Sequence, residues 1–469
     1  MSLFVQLAVA SGDSHAGDDV SIGVVLVFAG LLVAMIGCLA LEEKLHAKKS
    51  IITAVFAVVA LFLGAVLGIL PFGPVEIAGH KVHLPIYIPA IDWGVIAIIL
   101  GSSIFVDVTS RSGLFTWIAI RLTKLSGGDP LKLLISYGLM TVIFSAVLNN
   151  VTAMIIVGSL TGVSLKKLER EDKLLGFLLV EGLLTNIGGL LTLISSVPNI
   201  IVGNTAGISF VKFFLVASPF VLVATVVTLV LGAKLFEIKR LATEEEKVHA
   251  AELVAGFDEN DGVASTFFFW FGVVMTLLFI LTIATTTVLP YIKSLGMGYV
   301  ALGFATIMLV RYKAVADKFY QAIDWDLLAF FASLFVVINV MEHAHVLDMI
   351  GHGLAIVIGT GEMVGTGLLL ALAAVFSSVT DNIPLAAMLA KILSNLGTPS
   401  DSGLWWAVVF GANLGGNLTP IGSASTLVAV TIIHKYELPL SFSGFVKKAL
   451  PYALVQIVLA VVYVLIFCS

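Results

Sequence analysis

Apolar residues run along this chain in long blocks rather than in alternation. Blocks of spanning length lie at roughly 20–41, 50–70, 92–109, 174–207, 212–235, 265–288, 297–311, 325–342, 404–433 and 443–467. A helix needs about 20 apolar residues to cross the hydrocarbon core and satisfies its own backbone on the way, whereas barrel strands alternate with period two. About ten transmembrane helices are therefore expected. Two further apolar blocks, about 130–164 and 365–398, are each interrupted midway by a polar tip. These are expected to be re-entrant hairpins, because irregular backbone survives at membrane depth only when buried in protein or lining a wet cavity.

Composition agrees with that pattern. Hydrophobic residues make up 59% of 469 positions and charged residues 12%, too little polar surface to cover a soluble globule of this length. The fold class is all-α and polytopic, with the lipid bilayer as its surroundings. A net charge of −5, with no basic cluster interleaved with aromatics, argues against nucleic acid as a partner. Cys38 and Cys468 lie inside apolar segments and read as small hydrophobic side chains. No cofactor is expected, only a sodium ion or proton as transported or coupling ion. Met1–Asp19 lacks the basic start of a signal peptide and reads as a retained tail.

The cationic residues orient the chain. With the N-terminus outside, Lys81, Lys212, Lys293 and Lys391 fall outside, and the other 21 of the 25 lysines and arginines fall inside, obeying the positive-inside rule. The expected organisation is a tail with a first transmembrane helix (1–49), a first repeat (50–236), a cytoplasmic linker (237–264) and a second repeat (265–469), in the inner (plasma) membrane. The acidic run Glu244–Glu246 in the linker reads as a solvated helix face.

The two halves are related. AIDW at 90–93 recurs at 322–325 and FSAVLNN at 144–150 recurs as FSSVTDN at 376–382, both at an offset of 232. TNIGGLLTLI at 185–194 echoes ANLGGNLTPI at 412–421, with the offset at 227. Five expected crossings separate the two AIDW motifs, so the copies face opposite ways across the bilayer. Two inverted-topology repeats with interrupted helices at matching places point to alternating access around a midplane site.

The candidate site follows from those interruptions. In the first half they bring Asn149, Asn150 and Thr152 at the tip, then Asn186, Gly188 and Asn199 in the break of the following helix. In the second they bring Asp381 and Asn382, then Asn413, Gly415, Asn417 and Thr419. Glycines let the backbone unwind, and Asn and Thr offer neutral oxygens suited to a small hard cation. Half-helix N-termini at the same place favour an anion. The sign of the cargo stays open at this level. Carboxylates at membrane depth are expensive and default to proton or cation sites, which singles out Asp381 and, beside the first break, Glu181. Sodium is expected at Asp381, Asn382 and Asn413, and proton coupling at Asp381 and Glu181. Asp92 and Asp324 begin helices and read as N-caps.

The tips NNVTAM and DNIPLAAM, the breaks TNIGGLLTLISSVPN and GANLGGNLTPIGSASTL, and the early EEKLHAKKS resemble the ion transporter superfamily. Within it the likeness is to NhaD-type sodium/proton antiporters and ArsB-like permeases, with the P protein and the divalent-anion/sodium symporters as wider relatives. The resemblance implies that tips and breaks bind coupling cation and substrate, and that the protein is a homodimer. It also marks a departure: Asn149 stands where relatives often carry Asp, and SSVPN where many read GDPPN. Both remove negative charge from the first site. The expected function is secondary active ion transport by alternating access, as sodium/proton antiport through Asp381, whose own motif contains no lysine or arginine. The alternative is an anion permease for arsenite, another oxyanion or a citrate-like carboxylate, coupled to sodium or protons. No HExxH motif or nucleophile pair suggests an enzyme.

Overall fold

The computed structural model describes residues 20–77, 80–263, 265–321 and 323–468. The expected tail Met1–Asp19 and Ala322 of the second AIDW motif lie outside the described residues. The first half comprises helices α1 (Ile22–Ala40), α2 (Lys49–Val66), α3 (Trp93–Ser110), α4 (Leu114–Ser126), α5 (Pro130–Val147), α6 (Asn150–Lys167), α7 (Leu174–Gly188), α8 (Val197–Ala206) and α9 (Phe210–Leu235). Then come the linker helix α10 (Glu244–Ala255) and a second half of α11 (Thr266–Thr285), α12 (Ile292–Arg311), α13 (Trp325–His343), α14 (Val346–Ile358), α15 (Glu362–Val379), α16 (Asn382–Asn395), α17 (Gly403–Gly415), α18 (Ala424–Lys435) and α19 (Phe442–Phe467). Between α2 and α3 lies a short antiparallel pair, β1 (Val75–Ile77) and β2 (His80–Val82), which the apolar pattern does not announce.

Ten of the described helices are long and apolar enough to cross a membrane. Eight coincide with expected crossings, but the other two are α5 and α15, the first arms of the expected hairpins. The expected crossings 174–207 and 404–433 are each divided, α7 from α8 and α17 from α18, by breaks at 189–196 and 416–423, where the glycine- and asparagine-rich motifs placed an interruption.

The repeat holds residue by residue. Asp92 caps α3 by accepting from the Val95 N–H, and Asp324 caps α13 by accepting from the Leu327 N–H, as their position before helices predicts. Trp93 Nε1 donates to the Ile88 carbonyl and Trp325 Nε1 to the Tyr320 carbonyl, a matched pair of anchors. The halves also trade helices: α2 packs along α13 of the other half, and α12 along α3. Gly101 makes the second of these contacts possible, since a Cβ there would stand 2.4 Å from the Ala301 carbonyl carbon.

Candidate functional site

Each expected hairpin is two helices meeting at a two-residue joint, Leu148–Asn149 between α5 and α6 and Thr380–Asp381 between α15 and α16. The tip residue then caps the second arm. Asn149 Oδ1 accepts from the Thr152 N–H at 2.8 Å, and Asp381 Oδ1 from the Ile383 N–H at 3.1 Å. Behind each tip a serine pins the arm to the broken helix: Ser145 donates to the Thr185 carbonyl and Ser377 to the Ala412 carbonyl, both at 2.6 Å. A second matched pair ties each break back to its hairpin, Thr192 to the Ala146 carbonyl and Thr419 to the Ser378 carbonyl. The break glycines are what let the backbones approach. A Cβ at Gly188 would lie 2.7 Å from the Val142 carbonyl oxygen, and one at Gly415 2.3 Å from that of Ala374.

The break asparagines cross-brace the halves. Asn186 Nδ2 donates to Asn417 Oδ1 at 2.8 Å and to Ser423 Oγ at 3.0 Å, while its Oδ1 accepts from Ser425. Reciprocally, Asn413 Nδ2 donates to Asn199 Oδ1 at 2.9 Å and its Oδ1 accepts from Ser196 at 2.7 Å. Asn417 continues the network to Gln456. These four asparagines are fully buried, and buried amides satisfied in this way fix one arrangement of their surroundings.

A cavity of about 980 Å³ opens beside this network. Of the expected site residues it is lined by Asn149, Asn150, Thr152, Asp381 and Asn382; Asn186, Gly188, Asn199, Asn413, Gly415, Asn417 and Thr419 stand behind its wall. The C-terminal end of α3 (Asp107, Ser110) and the N-terminal end of α13 (Asp324, Asp326) meet at the same cavity, so the two copies run in opposite directions, as inverted repeats do. Both tips reach the one cavity. Away from it, Lys391 of α16 pairs with Glu342 of α13 at 3.0 Å.

Four helix N-caps face the cavity: Asn149 of α6, Ser196 of α8, Asp381 of α16 and Ser423 of α18. Each helix start carries partial positive charge and free N–H groups. A cation joins them that the tip motif does not contain. Lys49 Nζ lies 2.6 Å from Asp381 Oδ2 and 3.7 Å from Glu42 Oε1. Lys48, beside it on the cavity wall, makes no ion pair among the described residues. The cavity carboxylates are engaged: Asp107 with Arg111 at 2.9 Å, Asp324 as a cap, and Asp326 with the Ser50 hydroxyl. Lys49 is the residue that motif reading missed. Its only sequence signal is its place at the start of a transmembrane helix, in EEKLHAKKS.

Glu181, by contrast, lies outside the cavity lining, fully buried in α7, with Oε1 accepting from Thr161 at 2.7 Å and Oε2 without a hydrogen-bond partner.

Inverted halves, paired hairpins and broken helices around one cavity define a membrane transporter rather than an enzyme. The chain belongs to the citrate transporter family, which it matches over residues 38–411. It is 32% identical to a 46 kDa membrane protein of Mycobacterium leprae across 80% of this chain and 86% of that protein. An uncharacterized transporter of Synechocystis is 25% identical across 93% of this chain and 95% of its own length. The human P protein is 24% identical across 88% of this chain and 58% of its own. The fold is similar to that of the YdaH transporter of Alcanivorax borkumensis, with a TM-score of 0.58 at 16% identity, covering 89% of this chain and 98% of that one.

Proposed function

We propose that this protein is a secondary active transporter of a small carboxylate or oxyanion, bound between the two tips and moved by alternating access with a proton or sodium ion as coupling ion. The observation that carries this reading is the convergence of four helix N-termini and Lys49 on one cavity. Such starts attract carboxylates and phosphates without any arginine cluster. The family's description as citrate transporters agrees with a carboxylate cargo. The antiport expectation rested on an aspartate without a basic partner; Lys49 supplies one, so Asp381 is already neutralised in this state.

Sodium/proton antiport is the second reading, favoured by the carboxylates of Glu42, Asp107, Asp324, Asp326 and Asp381 on the cavity wall. Purified protein in liposomes, loaded in turn with citrate, arsenite, sodium or lithium, decides between the two. Saturable citrate or arsenite movement supports the anion reading. Sodium-driven proton movement with neither anion transported replaces it by the second. By the charge tally the cavity faces the cytoplasm, and the re-entrant geometry of the hairpins and the homodimer belong to the same proposal; cysteine labelling of Asn150→Cys and Asn382→Cys from each side tests the first two, and mass measurement in detergent the third.

A further inference from the structure

The repeat provides an internal control for every buried polar group, because the matching position in the other half shows what the packing itself requires. In the first half, α4 to α7 bury Thr123, Tyr137, Thr161, Ser164 and Glu181. At the offsets of 232 for the hairpin and 227 for the break, their counterparts are Ala355, Leu369, Leu393, Leu396 and Val408. Leu369, Leu393 and Val408 are themselves core residues. At the places matching Tyr137, Thr161 and Glu181 the second half therefore packs without a polar group, while Ala355 and Leu396 are exposed. A fully buried carboxylate is a cost the second half avoids.

Glu181 has one hydroxyl, that of Thr161, against its carboxylate among the described residues. Its Oε2 has no partner, and no Lys, Arg or His pairs with it among the described residues. Of the elements against α7, α5 carries Lys132 and Tyr137, and α6 carries Lys166 and Lys167. Helix α9 carries Lys212 and Lys234, α18 carries His434 and Lys435, the turn before α7 carries Glu171, Asp172 and Lys173, and α17 has no ionisable group. All but Tyr137 stand at the ends of their elements. Tyr436, just past α18, lies against Gly162, next to Thr161.

Hydroxyls lead away from Glu181. Thr161 and Ser164 lie about one turn apart on one face of α6. Ser164 Oγ is 2.7 Å from Tyr137 Oη, which is 2.7 Å from Thr123 Oγ1 in the last turn of α4, beside exposed Leu125 and Gly127. In the other direction Thr185 is one turn along α7, and its carbonyl holds Ser145, which also donates to Asn150 Oδ1 of the first tip at 2.8 Å.

We infer that Glu181 is a binding site for the coupling proton, reached through the Thr123, Tyr137, Ser164 and Thr161 hydroxyls and linked to the first tip through Thr185. The step is transfer of a proton from hydronium at the α4 end, which leaves water, along the hydroxyls, each oxygen accepting one proton and passing on its own, to the carboxylate oxygen that Thr161 contacts, giving a neutral carboxylic acid. The inference deepens the transport reading and depends on it only for what the proton is coupled to.

Infrared difference spectroscopy of the full chain in lipid vesicles, titrated from alkaline to acid pH without cargo, tests the site. The expected result is a carboxylic-acid carbonyl band that is lost in Glu181→Gln and grows several-fold more slowly after a pH jump in Tyr137→Phe. Should Glu181→Gln fold poorly, Glu181→Val, which copies Val408, serves in its place. Identical titrations of wild type and variant overturn the inference, and so does loss of the band on adding sodium at constant pH, which marks a cation site. An imposed pH gradient should then drive citrate uptake in wild type and fail to do so in Glu181→Gln; equal gradient-driven uptake overturns the coupling role. Absence of citrate uptake in wild type counts against the anion cargo, while the infrared band still decides whether Glu181 takes up a proton.

Discussion

The two hairpin tips share their backbone and differ in their chemistry. Both cap the second arm through the tip side chain, both are pinned by a serine to the broken helix, and both approach a glycine that admits no Cβ. At the first tip the cap is the neutral Asn149, whereas at the second it is Asp381 held by Lys49. The second-half counterpart of α2 is α12, which packs along α3 as α2 packs along α13, and the tip matching Asp381 is the neutral Asn149, so this ion pair has no mirror image. Glu181 has none either. An inverted repeat thus fixes the scaffold twice, while the departures from the repeat place charge in it.

The strongest way to break this comparison is to attack what the halves share. Gly188→Val and Gly415→Val should each cost on the order of 3 kcal/mol by overpacking and abolish liposome transport, the Gly415 variant more severely because its Cβ meets backbone at 2.3 Å. Near-normal transport in both would reduce these glycines to ordinary helix packing.

Next is the charge that the halves do not share. Lys49→Met leaves Asp381, whose side chain is 8% exposed, without its cation, and should lower stability by about 3 kcal/mol. Lys49→Met/Asp381→Asn should recover most of that loss in thermal melts, since it removes both charges. A double variant no more stable than the single would show that the pair is not what holds Asp381.

A smaller effect is expected from making the tips alike. Asp and Asn cap helices equally well, so Asn149→Asp should leave melting nearly unchanged while weakening apparent anion affinity by about tenfold, or ~1.4 kcal/mol. Tighter binding of an anion would contradict the proposed cargo.

The smallest concerns the linker, which docks on the first half through Arg121 to Glu259 and Lys167 to the Gly256 carbonyl. Glu246 closes a capping box on α10, and the N–H groups of Ala242 and Thr243 hold its carboxyl below the ordinary glutamate value. Its contribution is complete at neutral pH and is lost as pH falls from about 4.3 through the lowered folded value. Hydrogen exchange of the α10 amides should accelerate over that window in wild type and show no such step in Glu246→Gln.

Much of the architecture was legible because lipid imposes simple demands. Long apolar blocks gave the helices, and AIDW, the tips and the breaks gave the repeat, since each motif is local and carries its own cap or glycine. Length alone does not separate a hairpin arm from a crossing: α5 is long enough to cross, while α7 and α8 form one apolar run divided by an eight-residue break. The candidate site divided in the same way. Its tips line the cavity, while Asn186, Asn199, Asn413 and Asn417 hydrogen-bond one another across the halves behind it.

By itself the sequence determined the membrane environment, the duplicated frame and the two tips, because burial of apolar blocks and local caps depend on neighbours in the chain. Only the tertiary structure decided what each polar group meets. Lys49 and Asp381 are 332 residues apart and pair because α2 crosses to the other half. Electrostatics depends on distance in space, and a motif records only distance along the chain.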